Sequence, residues 1–162
     1  MILLILGIAL WWGAHLFKRL AKGPRAAMQE RLGDAARGVF ALLIVVSIGM
    51  MTLGCQQAAF INVWFPPTWT VHLNNTLMWI AVVLFALSAS KGRSRAWFRH
   101  PMLLGFTVWS FAHLLVIGYL ASILLFGGLG IWAITSIFVI NTQDGPWERP
   151  EPGPVSGDVR VV

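Results

Sequence analysis

Long, nearly uncharged apolar segments dominate this sequence, and they decide which folds are open to it. A helix that spans the hydrocarbon core of a bilayer needs roughly 20 mostly apolar residues, because each residue advances the helix by about 1.5 Å. Five segments approach this description: residues 2–17, 38–55, 72–90, 101–117 and 119–140. The chain is 57% hydrophobic and 11% charged, so its 162 residues carry more apolar surface than one globular core can bury. The sequence therefore predicts an all-α fold, a polytopic membrane helical bundle with about five transmembrane helices.

The basic residues predict the orientation of these helices. All twelve follow the first, third or fifth segment: six lie in residues 18–37, four in residues 91–99, and two are Arg149 and Arg160. With five spans these regions share one side of the membrane, and the positive-inside rule makes that side the cytoplasm. We expect an N-out, C-in protein of a bacterial-type inner (plasma) membrane. Because the net charge of +6 lies beside the spans, we expect it to meet lipid headgroups, and we expect no nucleic acid partner.

The connections between the spans are expected to lie at the membrane surface. Residues 18–37 are interrupted by a Gly-Pro pair and then have the composition of a short polar helix at the inner headgroups. The uncharged outer connection contains Trp64, Phe65 and Trp69, which are typical of an interfacial aromatic belt. A lid folded over a cavity is the alternative interpretation of that connection.

The C-terminal segment differs from the rest of the chain in composition. From residue 141 onward it is rich in Pro and Gly and has few apolar anchors. We therefore expect a transmembrane domain at residues 1–140 and a disordered cytoplasmic tail at residues 141–162. The single cysteine, Cys55, excludes an internal disulfide, and we expect it to be a packed thiol.

Two of the apolar segments contain similar sequences, LILGIALWWGAHLFKRL at residues 4–20 and LLGFTVWSFAHLLV at residues 103–116. In each, a glycine, a tryptophan and a histidine are spaced four residues apart and share one helical face. The aligned residues are Gly7 with Gly105, Trp11 with Trp109, and His15 with His113. Because the first predicted helix runs inward and the fourth outward, this pair predicts an inverted repeat.

Histidines inside apolar spans usually mark a functional site, although a hydrogen bond between helices is the simpler explanation. A proton relay usually recruits intramembrane Asp or Glu, and none of the five segments contains either. Zinc needs three or four converging ligands, whereas the four histidines are predicted at different depths. Axial ligation of a haem fits best, because neutral imidazole is an iron ligand. A flat macrocycle also needs a helix face on which glycine leaves room and aromatic side chains pack against the ring. The candidate metal ligands are His15 and His113, and the other candidate cofactor-binding residues of this face are Trp11, Trp109 and Gly105.

The predicted depths of the histidines leave a second pairing open. His15 lies roughly 21 Å along its helix from the outer start, whereas His113 lies roughly 8 Å from the outer end of its helix. Pairing by depth joins His15 with His100 near the inner face, and His72 with His113 nearer the outer face.

Several longer motifs resemble a known family. The run RHPMLLGFTVWSFAHLLVIGYLASILLFGG at residues 99–128 resembles the signature of the NnrU family of integral membrane proteins. RLGDAARGVF at 31–40, PPTWTVHL at 66–73 and GAHL at 13–16 agree with that family in order and spacing. The resemblance extends to about residue 140 and leaves out the tail.

The resemblance implies a function and a cofactor. The family is named for a role in the nitrite and nitric oxide metabolism of denitrifying bacteria, and its relative zeta-carotene isomerase binds haem b and isomerises a cis double bond. Carried over by motif, His15 and His113 are the expected axial pair of a haem b, His100 matches another histidine of the isomerase, and His72 is a candidate replacement or substrate-side ligand. We expect a redox or isomerase-like role on an apolar, membrane-dissolved or small gaseous substrate. The alternative is a haem-free accessory or transport protein that supports nitrogen-oxide metabolism.

The arginines that precede the fourth segment have two interpretations. Arg95 and Arg99 are candidate partners of haem propionates, because a guanidinium binds a carboxylate in bidentate fashion. The plainer interpretation is that both are topology signals that lie among the lipid headgroups.

Overall fold

The protein is all-α in the computed structural model, which describes residues 1–159 apart from the side chains of Arg95 and Val159. Within this range the chain forms seven α-helices: α1 (Ile2–Leu20), α2 (Lys22–Leu32), α3 (Ala35–Gln56), α4 (Thr70–Ala89), α5 (Pro101–Val116), α6 (Leu120–Asp144) and α7 (Ser156–Val159). A short 3-10 helix, Arg93–Ala96, lies between α4 and α5. The β-type pairing found in the described chain is an isolated bridge between Asn62 and Tyr119.

The apolar segments predicted from the sequence are the long helices of the structure. Helices α1, α3, α4 and α6 are each long and apolar enough to cross a membrane. Helix α5 is equally apolar but has only 16 residues, and at roughly 24 Å it is shorter than the hydrocarbon core of about 30 Å. The protein is therefore a multi-pass membrane protein, and its N-out, C-in orientation stays a prediction.

The chain divides into two compact units. The first unit comprises Met1–Val63 and Tyr119–Gly128, and the second comprises Trp64–Gly118 and the chain from Leu129 onward. Helix α6 thus supplies its first turns to the first unit and its remaining turns to the second.

In the first unit, α1 and α3 pack closely because glycines remove side chains from their contact. A Cβ on Gly54 of α3 would lie 2.7 Å from the Cα of Leu4 and 2.8 Å from its Cβ. A Cβ on Gly7 of α1 would lie 2.8 Å from the backbone nitrogen of Met51. Leu4 is fully buried at this contact. Small residues permit this close approach of backbones in membrane helices, where lipid supplies no hydrophobic drive for association.

Helix α6 joins the first unit through a polar contact with α1. The indole Nε1 of Trp12 donates a hydrogen bond to the carbonyl oxygen of Gly128 at 3.1 Å. Beside it, a Cβ on Gly128 would lie 3.0 Å from the Cγ2 of Ile8, so this turn of α6 also lies close to α1.

Helix α2 differs from its sequence prediction at its beginning. Gly23 and Pro24 were expected to interrupt the chain, but the helix begins at Lys22 and includes both. Proline is tolerated in a first helical turn because the N–H that it lacks would have no intrahelical acceptor there. No residue of α2 is buried, and the guanidinium of Arg25 lies over the ring of Phe40 at 4.0 Å.

In the second unit, α4 and α5 form an antiparallel pair. The rings of Phe85 and Phe106 meet edge to face at 5.5 Å, and Phe106 meets Trp132 of α6 in the same manner at 5.6 Å.

Helix α5 ends at Val116, and the predicted break at Gly118 is confirmed. A Cβ on Gly118 would collide with the carbonyl oxygen of Trp64, while the N–H of Trp64 donates to the carbonyl oxygen of Gly118 at 3.2 Å.

In the structure, Asp158 of the C-terminal tail contacts the loop between α4 and α5, while the division of the chain into residues 1–140 and a disordered tail stays a prediction. Helix α6 continues to Asp144, and the carboxylate of Asp158 accepts hydrogen bonds from the hydroxyls of Ser94 and Ser90. It also accepts from the backbone N–H of Arg93 at 2.9 Å. The hydroxyls of Ser94 and Ser90 and the backbone N–H groups of Ser94 and Arg93 stabilise the anion and lower the pKa of Asp158 to about 2. We call this arrangement the tail clasp.

Candidate functional site

His15 lies on α1, where a hydrogen bond to the backbone determines which ring nitrogen carries the hydrogen. Its Nδ1 lies 2.9 Å from the carbonyl oxygen of Trp11, one turn earlier on the same helix. A carbonyl oxygen only accepts, so Nδ1 carries the hydrogen and Nε2 of the neutral ring is the nitrogen with the lone pair. The indole of the buried Trp11 lies against the imidazole, with ring centroids 4.1 Å apart and planes tilted by 36°.

His113 repeats this setting on α5. Its Nδ1 lies 2.9 Å from the carbonyl oxygen of Trp109, and the same reasoning makes Nε2 the lone-pair nitrogen. The indole of Trp109 lies 4.8 Å from the imidazole, with planes tilted by 56°. The Trp-His pattern that the two segments share in sequence therefore corresponds to the same local geometry in both units.

The glycines of the two segments serve helix packing. Gly7 meets Met51 of α3, and a Cβ on Gly105 would lie 2.8 Å from the ring of Phe85 on α4. The space that each glycine leaves is filled by a neighbouring helix of its own unit. Gly105 thus packs against the ring of Phe85, and the cofactor contact expected for it stays a prediction.

The other two histidines lie at opposite ends of the α4–α5 pair. His72 is exposed in the first turn of α4, at the same end as His113, since Asn74 of α4 bonds to Ala112 of α5. His100 directly precedes α5, roughly 20 Å from His113 along the helix axis, and its Nε2 lies 2.9 Å from Oδ1 of Asn141. His72 and His113 thus lie at the same end of the α4–α5 pair, and their pairing by membrane depth stays a prediction.

The arginines proposed as propionate partners are only partly described. Nη1 of Arg99 donates to the carbonyl oxygen of Gly145 at 2.7 Å, which ties the start of α5 to the end of α6. The side chain of Arg95 lies outside the described residues. The guanidinium of Arg99 is thus hydrogen-bonded to the backbone of the second unit and stabilises its fold.

Sequence reasoning missed three polar contacts made by membrane-helix and tail residues. They are the amide of Asn74, the indole of Trp12 and the carboxylate of Asp158. Asn74 and Asn75 were the available signal for the first, because two consecutive amides are unusual inside an apolar segment. Their partners are distant in sequence, so no local pattern identifies them.

The sequence of the chain matches a known protein family. The family model described as NnrU protein matches residues 3–162. The match includes the tail, which corrects the expectation that the resemblance ends near residue 140. No curated protein and no solved structure matches the chain. Because the family match covers nearly the whole sequence, this chain belongs to the NnrU family.

Proposed function

We propose that this NnrU-family protein binds haem b through the Nε2 atoms of His15 and His113. The main support for the proposal is a hydrogen bond that both imidazole rings share. In each, Nδ1 is bonded to the carbonyl oxygen of a tryptophan one turn earlier. A hydrogen bond from Nδ1 fixes the ring orientation and increases the basicity of Nε2, which is the usual second-shell arrangement of a metal-binding histidine.

The donor set fits haem better than it fits an isolated metal ion. Among the described residues, no three His, Cys, Asp or Glu side chains converge as a metal cluster would require. Axial ligation needs only one or two imidazoles, because the macrocycle supplies the other four nitrogens. Trp11 and Trp109 add aromatic surfaces beside the imidazoles.

The chemistry expected of this arrangement is redox or isomerase-like. When bound, haem supplies a redox-active iron whose axial positions accept histidine or a small gaseous ligand. The chain's own residues orient the imidazoles, and the apolar helices around them exclude water. A substrate in this setting is an apolar molecule dissolved in the bilayer or a small gas such as nitric oxide. His72, at the same end of α4 and α5 as His113, is the candidate for a replacement ligand on the substrate side.

Absorption spectra of the detergent-purified protein test this proposal. After supplementation with haem during expression, we expect a Soret band and the α and β bands of low-spin haem b on reduction. His15→Leu and His113→Leu should each convert the spectrum to high spin or abolish it, and free imidazole should restore the low-spin form if only a ligand is missing. The haem-to-protein ratio decides whether the two imidazoles bind one iron or two.

Two further variants separate ligation from folding. His15→Met and His113→Met retain a ligand atom, so they should keep haem while raising its midpoint potential. Wild-type protein that is folded by circular dichroism and stays colourless after haem supplementation contradicts the proposal. That result favours a haem-free accessory or transport role in nitrite and nitric oxide metabolism.

A further inference from the structure

Asn74 makes a polar contact between helices inside the second unit. It lies in the second turn of α4, and its Nδ2 donates to the carbonyl oxygen of Ala112 on α5 at 2.9 Å. Ala112 is fully buried, so this hydrogen bond lies within the packed α4–α5 contact. The neighbouring Asn75 is exposed about 100° around α4 from Asn74, where it lines a shallow groove with Met78, Trp79 and Val82.

The acceptor of this bond is the peptide carbonyl that directly precedes His113. Helix α5 ends at Val116, so His113 lies in the last helical turn. Terminal turns lack part of the intrahelical hydrogen-bond ladder and fray more easily than the interior. A bond from the neighbouring helix to Ala112 therefore fixes the turn that carries the imidazole.

The apolar setting strengthens this constraint. The bond is partly buried in an apolar helix pair, where water replaces a lost acceptor less readily than in bulk solvent, so the side chain favours the geometry in which the bond is made. The bond sets the depth and rotation of the last turn of α5 relative to α4. The Trp109–His113 ring contact and the Nδ1 hydrogen bond then set the ring itself.

We propose that Asn74 is a positioning residue for His113, which holds the Nε2 atom of that imidazole in the orientation required for axial ligation. This inference rests on the proposed haem function. Asn74 acts through the backbone of α5, so its loss should alter the strength and geometry of the iron–imidazole bond while the protein remains folded.

The test compares two adjacent asparagines. Asn74→Leu keeps the side-chain size and removes the donor, Asn74→Gln keeps an amide donor, and Asn75→Leu is the matched control on the exposed side of α4. Haem transfer to apomyoglobin, the electron paramagnetic resonance spectrum of the ferric protein and the midpoint potential are measured for each variant.

We expect Asn74→Leu to lose haem roughly fivefold faster than the wild type, the factor that corresponds to about 1 kcal/mol for one hydrogen bond. Its low-spin signal should broaden or shift, Asn74→Gln should recover part of both effects, and Asn75→Leu should match the wild type. Asn74→Leu with wild-type haem loss and an unchanged signal overturns the inference and leaves the proposed function standing. A folded wild type that takes up no haem overturns both.

Discussion

Replacement of Gly54 by alanine tests whether the glycine contact between α1 and α3 holds the first unit together. The added Cβ would lie 2.7 Å from the Cα of Leu4 and even closer to its backbone nitrogen, whereas ordinary contacts begin at 3.4 Å, so α1 has to move by about 1 Å. The obstacle is largely backbone, which cannot rotate away as a side chain would. Such overpacking costs about 1–3 kcal/mol, while the change from glycine to alanine in a helix gains about 1 kcal/mol.

Gly49→Ala is the matched control, because Gly49 lies on the same helix with nothing within 4 Å of its Cβ position. The helix-propensity gain is common to both variants, so the difference in their free energies of unfolding isolates the packing cost. We expect Gly54→Ala to be about 1–3 kcal/mol less stable than Gly49→Ala. Unfolding in mixed micelles titrated with dodecyl sulfate, followed by circular dichroism, measures the difference. Equal stability of the two variants would refute the inferred contact.

Two further perturbations test the polar contacts of the tail and of α6. Asp158→Asn should release the tail clasp and make the tail more sensitive to limited proteolysis, while Glu151→Gln should not. Because the pKa of Asp158 is lowered to about 2, the tail clasp of the wild type should be fully present above the ordinary aspartate pKa of about 4. It should be lost only as the pH falls through about 2. Release of the tail already at about pH 5 would contradict this assignment. Trp12→Phe removes the hydrogen bond to Gly128 and should cost about 0.5–1.5 kcal/mol in the same micelle titration, whereas Trp79→Phe, at an exposed position, should cost less. Equal losses in the two tryptophan variants would argue against a role for that bond.

The fold could be predicted from the sequence because its main determinant is local. The length and apolar composition of a segment decide whether it can span a bilayer, and all five predicted segments are helices in the structure. The ends were less predictable: α6 continues to Asp144, although its last turn is polar. A helix that leaves the membrane can continue in water as long as no proline or glycine stops it, and here Gly145, at a φ of 69°, follows the last helical residue.

The candidate site was predictable only in part. The repeated Trp-His spacing predicted that each indole lies beside its histidine, since residues four apart are neighbours on a helix. The same pattern could not show that Gly105 lies against the ring of Phe85 on the neighbouring helix. The partners of Asn74 and Asp158 are 38 and at least 64 residues away, beyond the reach of any periodicity argument.

The hydrogen bond between Trp12 and Gly128 has a consequence for biosynthesis. Its donor and acceptor are separated by 116 residues, so at about 5–20 residues per second the ribosome makes the acceptor roughly 6–23 s after it has made the donor. Helices α1 and α3 are therefore synthesised well before α6 is available to complete the first unit. A truncated chain that stops before α6 should for this reason be a preferred target of membrane quality-control proteases.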